Sequence, residues 1–410
     1  MIPRLLTEPG AFRVFWAGQT ISLLGDQVTL IAVPLVAVQL LHAGPSAMGY
    51  LTAAGWLPYL LFALHAGAWV DRRRRRRRVM IAADLGRALV LASVAAAYAL
   101  GALTLAQLFV VAILAGTLSV FFNVSTSALF VSMVPRESYP QGYSLLNGSR
   151  AFAFVSGPAL GGFLVQVFSG PVALLVDAAS FLLSAFSMTR IGPQEPPPAP
   201  RAPGQILAGA RFIVDSPIMR ASLAATATIN LFNFAFSALY VLYAVRDLHL
   251  QAGTIGLILG STGVGGLLGS LISSRLSRLI GVGRAFLLGS LLFPLPLLLV
   301  PLAGGPPWLV LAFLFAAEFG CGLGVMILDI SIGTIFAALI PDRLRARVSG
   351  AYTVINYGVR PVGAVLGGVL GAVIGVRQAL FVAAVGAILG FLWLLPSPLP
   401  RMRELPETAA

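Results

Sequence analysis

The sequence predicts an all-α polytopic membrane protein with twelve transmembrane helices in two six-helix bundles. Three observations carry this. The 410 residues are 58% hydrophobic and only 10% charged, whereas an ordinary soluble domain holds about 25% charged residues. Apolar stretches of the roughly 20 residues that a bilayer crossing needs recur along the whole chain. A pattern in the first half also returns 206 residues later: Pro135 to Pro341 and Gly161 to Gly367 share that spacing.

In order, the predicted spans are 12–41, 46–70, 79–101, 104–133, 141–168, 171–191, 218–245, 252–274, 284–303, 306–339, 345–371 and 374–395. Several exceed the minimum length, which predicts tilt or cytoplasmic extension. Helices are expected because barrel strands read as short segments of alternating hydrophobicity. The residues before the first span are too few and too polar for a signal peptide, so that span is expected to stay in the mature chain.

The connectors alternate in character. "HAGPS", "GALT" and "FSGP" hold no arginine. The intervening ones hold Arg72 through Arg78, then Arg136, then Arg190, Arg201, Arg211 and Arg220. Later come Arg275, Arg278 and Arg284, then Arg343, Arg345 and Arg347, then Arg401 and Arg403. With the N-terminus inside, only Arg246 and Arg377 fall outside, and Arg87, Arg150 and Arg360 fall within spans. Short cytoplasmic loops collect positive charge, so both termini are expected to be cytoplasmic in a bacterial inner (cell) membrane.

The repeat sets the domains. "TSALFVSMVPRESYPQGYSLLNGSRAFAFVSGPALGGFLV" (126–165) is echoed by "TIFAALIPDRLRARVSGAYTVINYGVRPVGAVLGGVL" (334–370). Spans 4–5 therefore match spans 10–11, and a six-span unit occurs twice in parallel. The expected organisation is a bundle over 1–191, a cytoplasmic linker over 192–217, a bundle over 218–395 and a tail over 396–410. The linker begins with the proline-rich "GPQEPPPAPRAPG". "QILAGARFIVDSPIMR" follows, with Ile206, Ala210 and Ile213 on one face, and reads as a short helix lying on the membrane surface.

Composition also excludes. The net charge of +13 comes from arginine, with no lysine in the chain. One cysteine, Cys321, excludes intrachain disulfides and thiolate metal clusters. His42, His65 and His249 lack metal-ligand spacing, so no metal and no cofactor is expected. The run Arg72–Arg78 sits between two membrane segments, with no reading helix and no interleaved aromatics. That disfavours nucleic acid and favours anionic lipid headgroups as its neighbours. No GxxxxGK[ST] loop exists to cradle ATP.

Twelve spans in two halves, a long central loop, and Gly67-x-x-x-Asp71-Arg72 after span 2 resemble the major facilitator superfamily. Arg74 stands where the family's loop carries a second glycine. "GPALGG" (157–162) is similar to the span 5 motif of the antiporter branch, with Ala153 at its first glycine. "ISLLGDQVTLIAVPL" and "VMIAADLGRAL" look most like the exporter branch that includes the enterobactin exporter and macrolide efflux pumps. The resemblance implies the two-bundle transporter fold and export. It also implies a gating role for Gly67, Asp71 and Arg72. The residues alone leave a second reading of that loop, a topology anchor.

Gly157, Pro158, Gly161 and Gly162 suit close, bendable helix packing. The in-membrane charges are the sharpest signal, since each is costly in lipid and is expected to face protein or water. Asp26 lies mid-span with Gln19, Ser22 and Thr29 at helical spacing, and Arg150 is a candidate partner in the same half. Glu318 and Asp329, with Arg360, are the candidates of the second half. These five residues are the proton-coupling set, with the proton as coupling ion. The alternative is a set of fixed ion pairs. Asp84 and Arg87, three apart, read as a local pair, and Asp177 as a solvated carboxylate near the outer end of span 6. Gln19, Phe122, Asn123, Asn230, Asn233, Phe236 and Tyr240 are candidate lining for a substrate cavity.

The expected function is secondary export of a bulky amphipathic small molecule, drug-like or siderophore-like, by a monomer and without enzymatic chemistry. A nutrient importer or uniporter of the same fold is the first alternative. A non-transporting sensor or lipid-handling protein is the second.

Overall fold

A computed structural model describes residues 4–7, 10–71, 75–192 and 205–403. Among the described residues there is no strand. Among the described residues, twelve helices follow the predicted spans. In the first half they are α1 (Ala11–Gln39), α2 (Pro45–Asp71), α3 (Arg76–Ala99), α4 (Leu105–Phe130), α5 (Tyr139–Phe168) and α6 (Gly170–Thr189). In the second they are α7 (Pro217–Arg246), α8 (Ala252–Ile280), α9 (Val282–Leu292), α10 (Pro307–Leu339), α11 (Asp342–Ile374) and α12 (Val376–Leu389). Eleven helical stretches among the described residues are long and apolar enough to cross a membrane. The remaining helix, α2, has 27 residues, about 40 Å at 1.5 Å per residue.

Local chemistry sets the breaks. Thr104 and Ser216 cap α4 and α7, their hydroxyls accepting from the backbone N–H of Gln107 and Met219 at 3.3 and 3.4 Å. Gly281 and Gly375, at φ 91° and 90°, turn the chain between successive helices, a conformation glycine adopts without a side-chain clash. Span 9 continues past α9 only as a 3₁₀ stretch, Leu295–Leu298, and a short turn, Leu299–Leu302. Pro294, Pro296 and Pro301 lie there and withhold the N–H groups that a longer α-helix needs.

The chain divides into two compact units. The first is Met1–Ala43, Ala54–Arg201 and Leu248–Leu257; the second is Gly44–Ala53, Ala202–Asp247 and Ile258–Ala410. The start of α2 therefore belongs to the second unit and the start of α8 to the first. In the first unit α1 packs on α5 and α6, and α3 on α4 and α6. The second unit repeats the scheme: α7 packs on α11 and α12, and α9 on α10 and the end of span 12. Phe12, Phe15, Met80, Phe122 and Phe130 lie in the core of the first unit, and Ile229, Phe286, Ile335 and Leu399 in that of the second.

Two segments differ from expectation. The helix Gln205–Asp215 spends its apolar face on protein: Ile213 is buried with Met219, Ile340 and Val348, and Gly209 abuts the Arg347 backbone. The predicted tail begins late, because Leu399 is fully buried and the Gly283 N–H donates to the Met402 carbonyl at 3.2 Å.

Candidate functional site

In the first unit, glycines let α1 and α6 come together. A Cβ at Gly18 would collide with Ser187, and one at Gly25 with Asp177 and Ser180. This approach, with α3 packed on α6, gathers four charged residues. Arg87 is only 2% exposed and forms ion pairs with Asp84, on its own helix, and with Asp26 of α1 at 3.6 Å. Its guanidinium stacks between Phe122 and Phe181, 4.3 and 4.0 Å from the ring centroids. Each such cation–π contact contributes about 0.5–2 kcal/mol. Asp84 is fully buried, while the Asp26 side chain is 42% exposed. Asp177 is also fully buried; Thr29 donates to one of its oxygens and Ser180 to the other at 2.9 Å.

The second unit arranges its charges differently. Glu318 is buried in α10 and accepts from the Thr262 hydroxyl at 2.7 Å. Asp329, three turns on, is exposed on α10, within electrostatic reach of Arg360 of α11. The Arg360 guanidinium lies 3.9 Å from the Tyr357 ring and 4.9 Å from Phe234. An amide and hydroxyl network joins α7 to α11: Asn230 donates to Asn356 at 3.0 Å, Asn356 to Thr226 at 3.1 Å, and Thr226 meets the Tyr352 hydroxyl at 2.5 Å.

Several residues stand apart from where the sequence suggested. Arg150 is not with Asp26; it is exposed and hydrogen-bonds Asn147 at 3.4 Å. Its neighbour Ser149 is the residue that faces α1, 2.7 Å from Thr20. One helical position further turns the side chain about 100° away. Asp177 is not a solvated carboxylate, because its helix packs it onto Gly25. Phe122, Phe236 and Tyr240 are buried rather than lining an open surface: Phe122 covers Arg87, and Phe236 stacks on Tyr240 with centroids 6.0 Å apart. Asn230 belongs to the α7–α11 network. Gln19 is buried, Asn233 is half-buried, and Asn123 is exposed, donating to the Tyr59 hydroxyl at 2.9 Å.

Gly157 and Gly161 press α5 onto α1, where a Cβ at Gly161 would sit 3.0 Å from Val28 Cα. Pro158 and Gly162 meet Gly256 at the start of α8, within the same unit. Gly67 is half-buried on α2, and Asp71 ends that helix. The Asp71 side chain and Arg72 lie outside the described residues. Beyond them the basic run is not uniform. Arg76 is buried and Arg77 donates to the Ile191 carbonyl, while Arg75 and Arg78 are exposed. The charge cluster's wiring was the part that sequence reasoning missed. The one available signal was Asp84 and Arg87 at i,i+3 below Asp26.

The duplicated helical scaffold holds charged residues within helices long and apolar enough to cross a membrane. A profile of the Major Facilitator Superfamily matches residues 15–361 and 222–410, and the chain belongs to that family. It is 28% identical to the multidrug efflux pump Tap of Mycolicibacterium fortuitum over 93% of each chain. It is 25% identical to the enterobactin exporter EntS of Citrobacter koseri over 98% of this chain and 95% of the other. A solved bacterial homologue of the human lysosomal transporter Spinster shares the fold, with a TM-score of 0.73 at 13% identity over 95% and 96% of the two chains.

Proposed function

We propose that this protein is a secondary active exporter of a bulky amphipathic small molecule, drug-like or siderophore-like, driven by proton antiport. The observation that carries the reading is that one buried guanidinium serves two carboxylates of unequal access. Asp84 is enclosed, while Asp26 is 42% exposed. When Asp26 takes up a proton, Arg87 keeps Asp84 as counter-ion, so no buried charge is stranded. When Asp26 releases it, Arg87 receives the new negative charge. A carboxyl that alternates between proton and ion pair is the element an antiport cycle requires.

Export and the substrate class are supported by the relatives, one a multidrug efflux pump and one an enterobactin exporter. The proposed substrate-facing polar groups are Asn123 with Tyr59, and Asn233. We place the protein as a monomer in the bacterial inner membrane with both termini cytoplasmic, the Arg72–Arg78 run against anionic headgroups and the Asp71 motif as a gate. Single cysteines at Gly44 and Gly204 in a Cys321→Ser background test sidedness. Position 44 is expected to react with an impermeant thiol reagent on intact cells; labelling of 204 with protection of 44 would reverse the topology.

Function is tested by substrate-induced proton release in proteoliposomes across a compound panel. Bulky amphipathic compounds are expected to release protons. Transport of small nutrients without proton counterflow would favour an importer or uniporter.

A further inference from the structure

We propose that Asp177 is a second proton-carrying carboxyl, joined to Asp26 through the α1–α6 contact at Gly25 and Thr29. The inference deepens the antiport reading and rests on it for its role in transport. Its first ground is charge balance. Among the described residues, Asp26, Asp84 and Asp177 lie about one cation, Arg87, so the fully ionised cluster carries two uncompensated negative charges. Arg87 already pairs with Asp84 and Asp26. The Asp177 oxygens are met by hydroxyls, Thr29 and Ser180. The charged groups facing Asp177 are Asp26 from α1 and Arg87 from α3; α5 sends Arg150 to its exposed side. An unpaired charge at such depth costs several kcal/mol, and a proton removes that cost.

The second ground is independent. Helix α12 begins 206 residues after α6, at Val376 against Gly170, which sets Ala383 against Asp177. Ala383 is equally buried, so this scaffold packs at that position without a carboxyl. Gly25, next to Asp26 in sequence, is the glycine whose missing Cβ admits the Asp177 carboxyl to α1. When Asp177 is protonated, its O–H donates to Thr29, whose hydroxyl otherwise donates to it. Gly25 and Thr29, which meet the Asp177 carboxyl, flank Asp26 along α1.

Infrared spectroscopy of the purified protein in lipid nanodiscs tests this, because a protonated carboxyl has a carbonyl stretch that a carboxylate lacks. At neutral pH the wild-type protein is expected to show a buried-carboxyl band that Asp177→Asn abolishes and Asp26→Asn leaves in place. Thr29→Val removes one hydrogen bond and is expected to raise the frequency of that band, which keeps the test decisive if Asp177→Asn fails to fold. The band is also expected to bleach reversibly as the pH is raised. An unchanged band in Asp177→Asn, an unshifted band in Thr29→Val, or a band that no alkaline pH removes would overturn the proposal. The readout is protonation alone, so failure of proton-driven export would leave it standing as a proton site and would instead remove the antiport reading.

Discussion

Aligned by their helix boundaries, the two halves set Asp26 against Asn233, Asp84 against Ser290, Arg87 against Phe293 and Asp177 against Ala383. The alignment rests on helix boundaries that recur at a spacing of 206 residues, as from Arg76 to Val282, or of 207 in α1 and α7, as from Gln39 to Arg246. Contacts recur as well. Gly162 meets Gly256 within the first unit, and Gly368 meets Gly49 within the second, Gly49 and Gly256 again lying 207 apart. The scaffold is thus duplicated and its charge cluster is not. Packing of this bundle does not require three carboxylates and an arginine, since the second unit holds the same helices together with an amide, a hydroxyl, a ring and a methyl. We propose that the first unit's charges serve proton movement. The second unit places its own charges elsewhere, on α10 and α11.

The largest effect is expected at Arg87. Arg87→Leu leaves Asp84 and Asp26 without a cation, and losing one partner of a buried pair costs about 3–5 kcal/mol. Folded yield and melting temperature are expected to fall sharply, while Phe293→Leu, at the matching position, is expected to cost far less. Comparable losses in the two variants would mean that the charges serve packing after all.

The glycines sharpen the comparison next. A Cβ at Gly367 would sit 2.6 Å from Ala235 Cα, against 3.0 Å to Val28 Cα for one at Gly161. Overpacking of this kind costs about 1–3 kcal/mol, so Gly367→Ala is expected to lower thermal stability more than Gly161→Ala. Equal losses, read by thermal denaturation in detergent, would show that α1 and α7 yield alike.

A smaller effect separates residues within the basic run. Replacing Arg76 and Arg77 with glutamine removes a buried side chain and a bond to the Ile191 carbonyl, for about 1 kcal/mol each. The same change at exposed Arg75 and Arg78 is expected to leave stability unchanged. The smallest effect is at Ser169, which holds φ 119° where the second half has Gly375 at 90°. Ser169→Gly relieves a conformation that non-glycine residues adopt at a cost, and a gain of about 1 kcal/mol is expected in a thermal melt.

Much of the fold was legible because a membrane makes hydrophobicity a nearly sufficient signal for the spans. Most spans fell within a few residues; span 8 runs on to Ile280, Pro294 and Pro296 break span 9, and α2 and α8 each start in one unit and end in the other. The site was legible one helix at a time. Asp26 stood out as a mid-span carboxylate, and Asp84 and Arg87 as a local pair. That they form one cluster depends on Gly18 and Gly25 drawing α6 onto α1, a contact that no spacing within α3 announces. Asp177 was misjudged for the same reason: distance from a helix end says little about depth when a glycine on the neighbouring helix opens a place for the side chain. Phe122 resembled a cavity wall because a ring over a guanidinium and a ring over a ligand have the same signature in one dimension.

The central claim is that Asp26 exchanges its proton while Arg87 stays compensated by Asp84. The direct measurement compares Asp26→Asn with the wild type in proteoliposomes, reading both accumulation under an imposed pH gradient and substrate counterflow without one. The variant is expected to lose proton-driven accumulation yet retain exchange, since Asn233 shows that an amide fits the equivalent place in the fold. Normal accumulation by the variant under the gradient, or loss of exchange together with folded protein, would contradict it.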